Sequence, residues 1–146
     1  MKEENNILVS FLEENINIFF SLLEENDKSI IENFYNIFME EYHKTIWNIK
    51  TFKEIVEREE ETYKRLININ DTHPETHEQR KRKLEKSILG LLQEINRLKG
   101  YLEGECFYSQ IKKVYNKIFD LLPEDKRVIF ISLLNKKEVD IEKLFL

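Results

Sequence analysis

Apolar positions recur along this chain at helical spacing from one end to the other. In the first segment Ile7, Leu8, Phe11, Leu12, Ile18, Phe19, Leu22 and Leu23 form a broad stripe, with Phe20 outside it, which predicts a helix from about Glu3 to Glu25. Asn26-Asp27-Lys28-Ser29 then reads as a stop and restart. Asp27 or Ser29 can cap the next helix, and Glu32 stands three after Ser29 at capping-box spacing. From Ser29 no Gly or Pro occurs until Pro74, so a second helix can run to about Arg65. Its apolar positions are Ile31, Phe34, Tyr35, Phe38, Tyr42, Ile46, Ile49, Phe52 and Val56. Residues 68–72 read as a loop, and Pro74 suits the first turn of a third helix reaching about Glu103. There Leu84, Ile88, Leu91, Ile95, Leu98 and Leu102 are spaced 4, 3, 4, 3, 4, a heptad seam ended by Gly100 and Gly104.

The two seams suggest their own register. In an antiparallel hairpin, facing residues have a constant index sum. Phe38 with Leu102, Tyr42 with Leu98, Ile49 with Leu91, Phe52 with Ile88 and Val56 with Leu84 each total 140, and Ile46 with Ile95 totals 141. The midpoint falls in the expected loop. On this register the acidic run at 57–61 faces the basic run at 80–83, and the two neutralise each other. The tip, at about 57–83, has little apolar material beyond Tyr63, Leu66, Ile67 and Ile69. Folding does not require a polar tip of this kind, which makes it a candidate recognition element.

A fourth helix is expected over about Glu105 to Leu122, with Phe107, Tyr108, Ile111, Val114, Tyr115, Ile118, Phe119 and Leu122 as its stripe. Pro123 starts a fifth, ending near Asn135. Val128-Ile129-Phe130-Ile131 is β-branched, but a lone strand has no mate, so helix is expected there too. Glu138 to Leu146 offers a last turn or two and an apolar tail that must dock on its own bundle or on another chain. The fold class is therefore all-α. The expected architecture is a bundle built on a long antiparallel coiled-coil hairpin (about 29–65 with 74–103), plus an N-terminal helix and two to three C-terminal helices. Residues 1–146 are expected to form a single helical domain.

Composition agrees with that pattern. The chain has 146 residues, only three Gly and two Pro, and one cysteine. Sandwich, barrel and Rossmann folds need far more turn residues. One cysteine precludes an intramolecular disulfide and suits a reducing cytoplasm. The start MKEENN lacks a basic n-region, and no long apolar run suggests a membrane span. Alanine is absent, while Ile (18), Lys (17), Asn (13) and Glu (23) dominate, a bias typical of AT-rich coding in mobile elements and low-GC genomes. The net charge of −5 is uneven, since residues 1–62 balance to −9 and residues 63–146 to +4.

The chemistry-bearing residues are sparse. Glu40-Glu41-Tyr42-His43 contains the Glu-x-x-His spacing of di-iron bundles, but no second copy occurs. His73 and His77 stand four apart, a usable zinc spacing, and are weak metal candidates. Cys106 reads as a small buried hydrophobe. No nucleophile elbow, phosphate loop or paired Glu-x-x-Asp is present. No cofactor and no catalytic residue is expected.

Three functional classes follow. The first is a non-catalytic protein-interaction module, an adaptor or small inhibitor, with another protein as partner. Its candidate contact residues are Tyr63, Leu66, Ile67, Arg80, Lys81, Arg82, Lys83, Leu144, Phe145 and Leu146. Self-association as a homodimer is one form of it, because long helices with two apolar faces often bury the second against a copy. The second class is a nucleic-acid-associated helical subunit using the basic run at 80–86. The third is a metal-dependent helical-bundle enzyme. Membrane action is not expected, since the first helix is amphipathic but acidic.

Overall fold

The computed structural model describes residues 2–68 and 74–145. They form α1 (Lys2–Leu22), α2 (Glu25–Asn68), α3 (Pro74–Glu103), α4 (Glu105–Leu121), α5 (Glu124–Asn135) and α6 (Ile141–Phe145), with no strand among the described residues. The all-α expectation holds, and Pro74 opens α3 where expected. Contacts divide the chain into two compact units. One, the bundle unit, comprises Met1–Tyr42 and Tyr101–Leu146; the other, the hairpin unit, comprises His43–Gly100.

In the bundle unit, α1 buries Leu8, Val9, Phe11, Leu12, Ile16 and Phe19. Ile18, expected on that face, is 44% exposed, and Ile16 takes the inward position. The break after α1 is shorter than its polar sequence suggests. Leu23 must stay in the core at 8% exposure, so only Leu23 and Glu24 interrupt the helices. Hence α2 starts four residues before Ser29. Ser29 does not cap it; its Oγ donates to the Asn26 carbonyl from inside the helix, while Asp27 lies in the first turn, where the helix dipole favours an acid.

Aromatic rings fill the centre of this unit. Phe130 lies 4.8 Å from Phe19, 6.0 Å from Tyr115, 6.5 Å from Phe11 and 5.9 Å from Phe145. Tyr115 is fully buried and donates its hydroxyl to the Leu8 carbonyl at 2.6 Å. A second stack places Phe107 5.6 Å from Phe38 and 5.7 Å from Tyr42.

The joints of the bundle are held by polar groups. Between α3 and α4 the chain turns at Gly104, an extended residue (φ −107°) with no capping side chain. Fully buried Asn5 donates its amide to the Leu102 and Gly104 carbonyls at 3.0 and 3.1 Å. Arg127 does the equivalent at the end of α4: its guanidinium donates to the carbonyls of Phe119, Asp120 and Leu122 and lies 4.9 Å over the Phe119 ring. The β-branched run 128–131 is helical, with Phe130 buried and Val128 and Ile129 exposed.

In the hairpin unit α2 and α3 run antiparallel. Tyr63 donates its hydroxyl to Glu85 at 2.8 Å and Ser87 donates to Glu59 at 2.9 Å, so residues ascending one helix meet residues descending the other. These pairs total 148 and 146, not 140. On the expected register Ser87 would face residue 53, six residues or about 9 Å from Glu59 along the axis, beyond the reach of a serine side chain. The burial pattern accommodates an index sum near 147 as well as it does 140, so the two hydrogen bonds make the distinction. Inward positions on α2 are 49, 52, 56, 59, 63 and 66, and on α3 they are 98, 95, 91, 88, 84 and 81. Ile46, which broke the expected constant sum, is 41% exposed and off the seam. The displacement is one heptad, the shift that leaves a 3,4-spaced seam superimposed on itself.

Candidate functional site

The heptad displacement rearranges charge in the hairpin unit. The stretch 64–67 of α2 now faces 80–83 of α3, bringing Lys64 and Arg65 level with Arg80, Lys81, Arg82 and Lys83. The acidic run at 57–61 faces 86–90 instead, so the expected neutralisation of one run by the other is corrected. Lys81 is half-buried and pairs with Glu78 one turn back at 3.6 Å; Arg65 reaches Glu61 at 3.9 Å. Lys64, Arg80, Arg82 and Lys83 are exposed and make no ion pair with any described residue. The whole hairpin unit carries a net charge of +3 and the bundle unit −8.

The other expected tip residues are distributed as the seam demands. Tyr63 is half-buried, and its hydrogen bond to the Glu85 carboxylate raises the phenol above its ordinary value by favouring the protonated form. Leu66 is half-buried on the seam, whereas Ile67, one position on, is 54% exposed.

In the bundle unit exposed apolar side chains occur on α1 (Ile18), α5 (Val128 and Ile129) and as a stripe on α2. Ile30, Phe34 and Ile37 follow i, i+4, i+7 spacing and are 45%, 39% and 57% exposed. Asp27 precedes this stripe and Glu40 and Glu41 follow it. Phe34 stands among the apolar positions expected along the second helix. The inward face of this part of α2 is held by Ile31, Tyr35, Phe38 and Met39, which leaves Phe34 outside. The spacing of Ile30 and Ile37 with Phe34 was legible as a second apolar stripe, but it was masked by the stronger one beside it.

The C-terminal tail docks on its own chain. Leu144 is 1% exposed, and Phe145 packs 4.8 Å from Phe119 and 5.9 Å from Phe130. Asp140 accepts the Lys143 amide hydrogen at 3.1 Å, capping α6, and Asn116 donates to the Leu144 carbonyl at 2.9 Å. Of the two docking places expected for the tail, Leu144 and Phe145, which the sequence also offered as partner contacts, take the one on their own bundle. Leu146 lies outside the described residues, as does His73.

Of the histidines expected as weak metal candidates, His77 is half-buried in α3. Among the described residues no group of three or more His, Cys, Asp or Glu side chains is arranged to hold a metal ion. Cys106 is exposed, not buried. Its neighbours Phe107 and Tyr108 take the inward face of α4, and Cys106 falls on the opposite side. Tyr108 is buried with its hydroxyl unpartnered among the described residues, and the Lys143 ammonium lies 4.6 Å over its ring. Burial, then the nearby Glu4, Asp140 and Glu105, pushes this phenol up to about 12. No described helix is long and apolar enough to cross a membrane. Comparisons with protein-family models, curated proteins and solved structures find no match to this chain.

Proposed function

We propose that this protein is a non-catalytic helical interaction module, an adaptor or small inhibitor that works in the cytoplasm by binding another protein. The observation that supports this reading is the exposed stripe Ile30, Phe34 and Ile37. Three large apolar side chains at i, i+4, i+7 on a rigid helix are the anchors by which one helix seats in an apolar groove. Such a cluster is more than the scattered apolar exposure of ordinary surfaces. The acids Asp27, Glu40 and Glu41 at its ends and the −8 charge of the bundle unit favour a groove with a basic rim.

The test is a tagged capture from the native host at moderate salt, with nuclease present, comparing the wild-type chain with Ile30→Glu/Ile37→Glu. Both side chains are exposed, so the variant should keep its thermal midpoint. The expected result is a stoichiometric protein partner retained by wild type and lost by the variant. A partner retained equally by both, or lost on nuclease treatment of the wild type, overturns the proposal. Light scattering separates the case of a second copy. A doubled mass that the variant returns to that of one chain identifies the groove as belonging to this same protein.

A further inference from the structure

The geometry points to a second contact surface, independent of the α2 stripe: the basic band of Lys64, Arg65, Arg80, Lys81, Arg82 and Lys83 binds the phosphate backbone of a nucleic acid. The inference rests on the register. At an index sum of 140 Arg80, Lys81 and Lys83 would lie opposite Glu60, Glu59 and Glu57 and serve as internal pairing, while Arg82 would face Arg58. At the observed register, two basic stretches lie side by side, contributing six cations and no acid within 64–67 and 80–83. Like charges brought level on neighbouring helices oppose folding, and neither helix requires them for its seam apart from Lys81. A polyanion is the ligand that removes that repulsion.

The chemistry of the band favours nucleic acid over a protein partner. Protein interfaces concentrate aromatic and apolar side chains in a core and are depleted in Lys. The stretches facing each other here hold three Arg, three Lys and only Leu66 and Ile67. Flexible cations without a fixed hydrogen-bonding frame suit phosphate contacts, which position a protein without reading sequence. The acidic run at 57–61 lies further along α2 and bounds the surface there, with Glu61 reaching Arg65 at 3.9 Å as Glu78 reaches Lys81 at 3.6 Å on α3.

Fluorescence anisotropy with labelled duplex DNA and single-stranded RNA of about 20 nucleotides and arbitrary sequence tests this on the full chain. Four to six phosphate contacts should give a log–log salt slope of about −4 to −5 on duplex DNA, so binding should weaken by roughly two to three orders of magnitude between 50 and 200 mM salt. Converting the six residues to Gln should lower affinity at least tenfold at 50 mM salt and flatten the slope. Removing mutual repulsion should leave the thermal midpoint unchanged or raised. Lys136→Gln/Lys137→Gln, exposed cations in the bundle unit, should bind as wild type does. If the six-fold variant fails to fold, the band is structural and the proposal falls, unless Arg82→Gln/Lys83→Gln keeps its midpoint and still loses affinity several-fold. No anisotropy change at 50 mM salt, equal binding by wild type and variants, or equal loss in the Lys136/Lys137 control would each overturn it. So would binding of labelled polyglutamate with no binding of either nucleic acid, which would assign the band to an acidic protein surface. Failure of these experiments leaves the nuclease-resistant partner of the α2 stripe unaffected.

Discussion

Phe11, Phe19, Tyr115 and Phe130 in the bundle unit are at or below 1% exposure and touch one another. In the hairpin unit the most buried described side chains are Ile95 at 3%, Val56 at 6% and Ile49 at 8%, and the seam continues through Glu59, Tyr63 and Lys81. A two-helix seam can enclose a side chain only from one side, whereas the bundle surrounds it with several helices. The bundle therefore draws its stability from burial, and the hairpin from a narrow stripe, pairwise polar contacts and helix propagation along two long elements. The difference teaches where each unit can carry function. Surface changes on the bundle are cheap, because the rings inside hold it, while changes on the hairpin bear directly on register and charge.

The sharpest way to break this comparison is at the seam. With Cys106→Ser to remove the native thiol, Phe52→Cys with Ile95→Cys should crosslink almost completely under mild oxidation, and Phe52→Cys with Ile88→Cys should not. The reverse result would restore the register at 140 and with it the pairing of the acidic and basic runs.

Next in size is the core. Phe130→Ala should cost about 3–5 kcal/mol in urea unfolding, and Ile95→Ala about 2 kcal/mol, near the low end for such truncations. Equal losses would mean that the hairpin seam is as enclosed as the bundle. Hydrogen exchange should show the same ranking, with hairpin amides opening below the global unfolding free energy and those of α1 and α4 close to it.

Asn5→Ala sharpens the account of the bundle, since it strips the Leu102 and Gly104 carbonyls of their side-chain donor. A loss of about 1–3 kcal/mol is expected from chemical denaturation. A neutral result would assign the turn between α3 and α4 to backbone preference alone.

The smallest effect concerns alkaline pH. Burial favours the neutral phenol of Tyr108, raising it from 10 to about 12, and shifts Tyr115 in the same direction. The stability this contributes is complete below about pH 10 and is lost as pH rises through 12, because the unfolded chain releases these protons more readily. Tyrosinate absorbance should therefore rise in two stages, the later one coinciding with loss of helicity. Tyr108→Phe should reduce the slope of stability against pH in that window. An unchanged slope would remove Tyr108 from the explanation.

Much of this was legible along the chain. Pro74 and Pro123 mark helix starts because proline lacks an amide hydrogen that a first turn leaves unused anyway, and α3, α4 and α5 begin and end within a residue or so of expectation. Asn5, Arg127 and Asp140 were not found, although each holds a joint. Their partners are backbone carbonyls or amides, which carry no residue identity for a pattern to match. For Asn5 those partners lie 97 and 99 residues away. The exposed stripe Ile30, Phe34 and Ile37 was visible only as extra apolar residues, because two stripes on one helix cannot be ranked without knowing which neighbours the helix has.

What the sequence alone determined is the local order: apolar residues at 3.6 spacing, with breakers between them, commit each segment to a helix whatever its surroundings. The register of the hairpin belonged to the tertiary structure. A seam spaced alternately by three and four maps onto itself after seven residues, so index sums of 140 and 147 align nearly the same apolar positions. The choice falls to contacts with no periodic signature, such as Tyr63 with Glu85 and Ser87 with Glu59. That choice also decides whether the basic run at 80–83 is neutralised within the hairpin or left facing Lys64 and Arg65, because charge, unlike the seam, does not repeat every heptad.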